Sequence, residues 1–345
     1  MITFIAVIVV FGLLVTVHEA GHLVAAKRVG ITVHEFSMGF GPKLFGITRG
    51  ETLYSFRIFP LGGYVRMAGG EVGESDLEGA YTNKTVAQRA SVAVAGPLMN
   101  LLLAAVLFMI IFSILGVPFA TGLIGDVLPG SPAAEAGLQP GDRIMVINNQ
   151  PVQDWQEMVE VIQEFGSTSA GGSLNLVIDR AGQQLDLKVR PMLSEQVPKI
   201  GIVADVGYRR AGPISGIKLG FTRTLELTWA MLQGLGQMFT GGVAPGDMSG
   251  PVGITQMIGE AARGGWVQLL SFAGILSINF AVLNLLPIPA LDGSKLVFLA
   301  IEKVRGKAVD PEREGMIHVI GFALLMGLVL VLTYQDVMRI FFQGG

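Results

Sequence analysis

Four stretches of the chain are nearly free of charge: Ile2–Ala26, Val92–Val117, Val267–Leu286 and Met316–Leu332. Each is long enough to cross the hydrocarbon core of a bilayer, which takes about 20 helical residues. Ile2–Ala26 has no basic leader and no clear small-residue cleavage site, so it reads as a retained helix rather than a signal peptide.

Between the spans the pattern changes. Thr52–Phe59 reads as a strand that ends at Pro60 and Gly62-Gly63, with Tyr64–Met67 as its expected hairpin partner. This run is too apolar for a plain aqueous loop. The hairpin is expected to dip into the membrane face, with its backbone paired or turned to protein or water. From about Ala120 to Asp205 charges return and strand patterns alternate with turns, as in a soluble α+β domain. Within it, Ser131–Asn148 predicts a short helix, a glycine turn and a strand. Ile214–Phe239 is amphipathic, with Trp229, Leu232 and Phe239 among its apolar positions, and predicts an interfacial helix along the outer leaflet. Gly241–Gly265 is glycine-rich and leads into the third span. The expected division is 1–118, 119–207, 208–265 and 266–345.

Composition supports a membrane protein. Mean hydropathy is +0.57, and charged residues make up 15%, against about 25% in an average soluble domain. A net charge of −3 does not point to nucleic acid. There are no cysteines, so any metal must be held by His, Asp or Glu. Basic residues set the expected topology. Lys27, Arg28, Lys84 and Arg89 flank the first connection, and Lys295, Lys303, Arg305, Lys307 and Arg313 lie in the third. The positive-inside rule then puts both in the cytoplasm, and the termini and the long second connection outside.

The candidate chemistry starts at His18-Glu19-Ala20-Gly21-His22. Residues four apart share a helix face, so both imidazoles can reach one ion, and Glu19 beside them can move a proton from water to a leaving amine. Ionisable residues inside an apolar span are costly, which makes them functional candidates. Zinc needs a further ligand. The third span ends in Asn284-Leu-Leu-Pro287-Ile-Pro289-Ala-Leu-Asp292-Gly293, where the two prolines break the helix. Asp292 is the natural third ligand; alternatively it is a helix C-cap meeting water at the membrane edge. Gly293 is expected to let the backbone pass close to the metal. His34, next to Glu35, lacks a second histidine, and His318 is read as lacking an acidic partner four residues away; both are taken as structural.

The order of these motifs is similar to that of the site-2 protease family of intramembrane zinc proteases. The order is HExxH, Gly96-Pro-Leu-Met-Asn100 in the second span, an inserted domain, then Asn-x-x-Pro-x-Pro-x-Leu-Asp-Gly. The bacterial branch called regulator of sigma-E protease is the most similar, and the resemblance covers nearly the whole chain. It implies a polytopic α-helical membrane protein with four transmembrane helices, a membrane-associated β-hairpin and one circularly permuted PDZ domain of α+β type. It implies Zn²⁺ on His18, His22 and Asp292, with Glu19 as catalytic base. Asn284, Asn100, Pro287 and Pro289, and the hairpin residues Tyr54, Phe56 and Ile58, would face an unwound substrate strand. Asn284 could donate to the scissile carbonyl, and Asn100 could do so or bridge helices. Lys199–Val203, around Gly201, is the PDZ strand that would take a peptide C-terminus; alternatively the domain binds nothing. The implied activity is hydrolysis within single-span membrane proteins, such as anti-sigma factors or remnant signal peptides, in the bacterial cytoplasmic membrane. Better-known enterobacterial members carry two PDZ domains where one pattern is found here. A zinc transporter and an inactive scaffold are the rival readings.

Overall fold

The computed structural model describes residues 1–69, 79–168, 172–194, 197–209, 212–239 and 249–343. They form two compact units, one of Met1–Ser113 with Gly212–Gly345 and one of Ile114–Ala211.

The first unit begins with helix α1, Ile2–Arg28. A helix satisfies its backbone groups within one segment, as a chain in hydrocarbon must. Ala6, Val10, Leu14, His18 and His22 are buried at intervals of four, so the histidines continue the stripe that packs against the rest of the unit. Strands β1, Val33–Arg49, and β2, Thr52–Met67, follow as an antiparallel pair.

This pairing corrects the expected hairpin. The partner of Thr52–Phe59 is the upstream segment, and Tyr64–Met67 continues the same strand. The ribbon also crosses itself. Residues 35–38 lie opposite 66–63 in the antiparallel sense and opposite 53–56 in the parallel sense, while 45–49 pair with 56–52. Residues 63–67 therefore form an edge, with no further strand beyond them among the described residues. Gly39 permits the crossing. Its φ is +94°, and a Cβ there would lie 2.7 Å from the Phe59 carbonyl oxygen. In the sequence, Gly39-Phe40-Gly41-Pro42 looks like a strand breaker.

Helix α2, Val86–Ile114, carries Pro97 in its interior. The second unit then contains β3 (Val117–Val127), α3 (Pro132–Glu135), β4 (Arg143–Ile147), β5 (Gln150–Pro151) and α4 (Trp155–Thr168). It continues with β6 (Leu174–Arg180), β7 (Gln183–Val189), β8 (Met192–Ser194), β9 (Val197–Lys199) and β10 (Ile202–Arg209). The sheet order is β10-β3-β4-β6-β7, with β5 on β4. Ile124, Ile147, Leu174, Leu176 and Ile178 fill its core, with Met158 and Ile162 of α4 packed among them. The expected strand Lys199–Val203 is split. Gly201, at φ +84°, separates β9 from β10, and its carbonyl accepts from Leu128 N–H at 2.9 Å.

Asp142 is buried beside Arg180. Burial pushes its carboxyl up, but bonds from Arg180 Nε (2.7 Å), Arg180 Nη2 (2.8 Å) and the Gln139 N–H (2.8 Å) outweigh this and hold it below the usual carboxylate range. The pair thus stabilises this unit fully above the unfolded value of about 3.9, and that support is lost as pH falls through the lower folded value. Asp142→Asn is expected to weaken amide exchange protection in residues 137–143 at neutral pH.

The first unit resumes with α5, Pro213–Phe239. Its Gly220 packs so close to α2 that a Cβ would lie 2.6 Å from the Ala105 carbonyl oxygen, and one at Gly216 would meet Ser113 Oγ at 2.2 Å. A small-residue stripe thus packs α5 against a spanning helix, a contact the surface-helix reading did not foresee. Its apolar residues Phe221, Leu225 and Trp229 remain exposed.

Residues 240–248 of the glycine-rich stretch lie outside the described residues, but the remainder forms an unexpected helix, α6 (Pro251–Gly264). Pro251 suits a first turn. The buried Asp336 carboxylate caps this N-terminus from another helix, accepting from Gly250 N–H at 3.1 Å and Gly253 N–H at 2.7 Å. The last elements are α7 (Trp266–Leu285), α8 (Asp292–Arg305) and α9 (Pro311–Gln343). Ala6, Val10 and Leu14 pack with Leu107, Ile258, Ala273 and Leu276, joining α1, α2, α6 and α7. Among the described residues, α1, α2, α7 and most of α9 are long and apolar enough to cross a membrane.

Candidate metal centre

The buried stripe of α1 delivers His18 and His22 to one point, with their Nε2 atoms 3.3 Å apart. Asp292 Oδ2 lies 3.0 Å from each. The three ligand atoms fall within 4.8 Å of one another. The donor chemistry indicates what belongs between them. His22 Nδ1 is 2.8 Å from the Val92 carbonyl oxygen, which can only accept, so Nδ1 carries the hydrogen. In the neutral imidazole that binds a metal, His22 Nε2 then presents a lone pair to a carboxylate oxygen that also only accepts. Two buried acceptors at this distance call for a cation between them. Two imidazole nitrogens and one carboxylate oxygen are a donor set that zinc takes.

The face of α2 opposite the histidines is built at intervals of four. Val92 supplies the acceptor for His22. Gly96 supplies space, since a Cβ there would lie 2.4 Å from His22 Nε2 and 2.9 Å from His18 Cε1. Asn100 is fully buried, with Nδ2 at 3.3 Å from His18 Nδ1. Gly96→Ala is therefore expected to push both rings out of register and weaken zinc retention at least as much as the loss of an outer hydrogen-bond partner, about 10–100-fold. Zinc content after dialysis against a weak chelator checks this.

Asp292 arrives by a different route from the one expected. The third span ends at Leu285, residues 286–291 form a loop, and Asp292 is the first residue of α8. It stands at a helix N-terminus, where the macrodipole favours an acid, and not at a C-cap. Lys295 Nζ lies 3.3 Å from its Oδ1, and that positive charge favours the ionised carboxylate. Gly293 allows a close approach to α7 and not to the metal point: a Cβ would lie 2.3 Å from the Leu285 and Leu286 carbonyl oxygens. His318 pins the loop, its Nδ1 accepting from the N–H of Ala290, which has φ +77°. It does have an acidic neighbour, Glu314, at 3.8 Å, which the sequence reading overlooked. Glu35, beside His34, is engaged by Ser55 and Arg57 within the β-ribbon.

A cavity of about 830 Å³ opens onto the site. Glu19, Asn284 and Lys295 line it together with His18, His22 and Asp292. Glu19 packs on β2, 3.4 Å from where a Gly63 Cβ would be. Asn284 donates from Nδ2 to the Phe280 carbonyl at 2.9 Å. Tyr81 is also in the wall, and burial pushes its phenol up to about 12, so it stays neutral.

From the ribbon it is the edge residues Tyr64, Val65 and Met67 that reach the cavity. Tyr54, Phe56 and Ile58 are not among its lining. Tyr54 accepts from Lys27, Phe56 stacks on Phe45 and Ile58 is exposed. Residues 53–56 are flanked on both sides, which leaves no free edge for another strand. Asn100 lies behind the histidines and off the lining. Pro287 is exposed, and Pro289 packs on Gly321 of α9. Gly201, in the other unit, packs on Ser131.

The description Peptidase family M50 matches residues 6–328. Zinc metalloprotease RasP of Geobacillus kaustophilus is 36% identical, covering 98% of each chain. A protein of the same name from Oceanobacillus iheyensis is 33% identical, covering 99% of this chain and all of the relative. Regulator of sigma-W protease RasP of Bacillus subtilis is 34% identical, over 98% of this chain and 99% of the relative. The solved PDZ domain of an SdrC-like protein from Listeria innocua aligns with 26% of this chain and 99% of its own, at 22% identity and a TM-score of 0.22. With a family match over nearly its whole length, full-length zinc metalloprotease relatives and a buried two-histidine, one-aspartate cluster, the chain belongs to Peptidase family M50 and is a zinc metalloprotease.

Proposed function

We propose that the chain is an intramembrane endopeptidase that cuts peptide bonds within the transmembrane segments of single-span membrane proteins. The observation that carries this reading is the convergence of His18, His22, Asp292 and Glu19 on one cavity among helices apolar enough to span a bilayer. His18, His22 and Asp292 hold the metal. When bound, zinc supplies Lewis-acid polarisation of the scissile carbonyl and a lowered pKa for water. Glu19 takes the proton of the attacking water and delivers it to the leaving amine. Asn284, with a second amide hydrogen beyond the one given to Phe280, donates to the substrate backbone as charge develops on the carbonyl.

A helical substrate hides its carbonyls in its own hydrogen bonds, so it must unwind to be cut. Residues 63–67 form a strand edge at the cavity, and an unwound segment can add to that edge. Pro287 and Pro289 keep the loop 286–291 before Asp292 non-helical. We read the inserted domain as a circularly permuted PDZ fold whose last strand, β10, lies at the sheet edge behind Gly201, free to take a peptide C-terminus. We place the protein in a bacterial cytoplasmic membrane, with both termini and the inserted domain on the outer side, as the Lys and Arg distribution predicts. Anti-sigma factors or remnant signal peptides are the substrates this reading favours; the Bacillus subtilis relative is itself named a regulator of sigma-W protease.

Purified protein in liposomes, given a model single-span substrate, tests the reading. Mass spectrometry of the products should locate the cut inside the apolar segment. Cleavage confined to the aqueous flanks would sink it.

A further inference from the structure

We infer that Asn100 is a positioning residue of the metal centre: its amide oxygen accepts the Nδ1–H of His18 and so holds His18 in the tautomer whose Nε2 lone pair is free for zinc. The inference rests on the proposed ligand set His18, His22 and Asp292. A histidine that binds through Nε2 carries its hydrogen on Nδ1, and in a buried site that N–H needs an acceptor. His22 has one in the Val92 carbonyl. For His18, the hydrogen-bonding neighbour of Nδ1 among the described residues is the Asn100 amide, at 3.3 Å.

The amide faces His18 with its nitrogen, which would force His18 Nδ1 to accept and put the hydrogen on Nε2. Meanwhile Asn100 Oδ1 is buried with no hydrogen-bond partner among the described residues. A half-turn of the amide exchanges the two atoms without moving anything else. It brings the unpaired oxygen onto the N–H that needs it. The backbone that carries this side chain is anchored, since Ser277 Oγ of α7 donates to the Asn100 carbonyl at 2.7 Å. Val92, Gly96 and Asn100 then work as one face of α2, with an acceptor for each histidine and a gap for both rings between them. Asn100 is fully buried behind His18, so a substrate in the cavity does not reach it.

The test measures zinc affinity of the full-length protein in detergent by competition with a chelator of known strength, alongside gel filtration. Asn100→Leu, which can neither donate nor accept, is expected to weaken zinc about 10–100-fold, the usual cost of losing an outer-sphere partner. Asn100→Asp has the same shape and only accepts, so it should restore affinity to near that of the parent. This rescue separates a positioning role from packing alone. It also keeps the inference falsifiable if the leucine variant misfolds. An aspartate variant as weak as the leucine variant would mean that the amide donates to His18, and the inference falls. So does an unchanged affinity for Asn100→Leu. Asp292→Ala is measured in the same series. If it releases zinc while Asn100→Leu does not, only the role of Asn100 is lost; if it too leaves zinc in place, the ligand reading falls with it.

Discussion

Glu19→Gln keeps its zinc and loses cleavage. The expected fall in single-turnover rate is about 10²–10⁴-fold, the range that a positioned acid–base group supplies. The two halves of this result come from different parts of the geometry. Zinc stays because the Glu19 carboxylate is not among the three converging ligand atoms, which come from His18, His22 and Asp292. Cleavage goes because glutamine matches glutamate in size but cannot take a proton. Glu19 sits one residue, and so about 100° of helix rotation, from His18. That rotation turns it from the buried stripe into the cavity wall, against Gly63 of β2. Zinc content by elemental mass spectrometry, paired with cleavage in liposomes, decides the matter. Equal rates for parent and variant would remove Glu19 from catalysis. Loss of zinc with the rate would make it a ligand.

Asp292→Ala should empty the site. The expected loss of zinc affinity exceeds the about 10–100-fold that outer-sphere partners cost, because a ligand itself is removed. Two further changes act in the same direction. Lys295, 3.3 Å from Asp292 Oδ1, loses its counter-charge and becomes an uncompensated cation beside the metal point. The N-terminus of α8 loses the acid that its dipole favours. Zinc stoichiometry should drop from near one to near zero under conditions where the parent retains its metal. Unchanged tight binding would exclude Asp292 from the ligand set.

These two expectations could be framed from the chain alone, yet they stood on different ground there. The histidine pair and Glu19 belong to one helix, so 3.6-residue geometry places them without knowledge of the rest of the fold. Asp292 lies 274 residues from His18, and no local rule carries across that distance. Of its two readings, the C-cap one falls because Asp292 opens α8 after the loop 286–291, and the ligand one is what Asp292→Ala tests. Gly293 had been given the right property and the wrong neighbour: it makes room for the Leu285 and Leu286 carbonyls. For Asn100 the sequence leaves two readings, a donor to substrate or a bridge between helices, and in the fold its amide lies against His18 Nδ1.

Elements were missed for the same reason. β1 contains a Gly-Phe-Gly-Pro run that looks like a turn, and it is strand because β2 pairs along it on both sides of the crossing. α6 is short and glycine-rich, and it is held by Asp336 of α9, about 85 residues away in the chain, and by packing of Ile258 against α1. The family resemblance puts Tyr54, Phe56 and Ile58 forward as the substrate-facing ribbon residues. The cavity instead receives Tyr64, Val65 and Met67, because 53–56 is paired on both flanks.

What the sequence determined by itself was therefore everything periodic within a single segment: the apolar spans, the two imidazoles on one helix face beside a glutamate, and the cost of placing them in hydrocarbon. Tertiary structure alone decided which edge of the ribbon is open, which side of Asn100 is occupied, and that Asp292 Oδ2 meets two Nε2 atoms at 3.0 Å. The physical reason is range. Helix and strand periodicity is a property of neighbouring residues, whereas a metal centre is a property of atoms brought within a few ångströms by packing between helices, which no local pattern encodes.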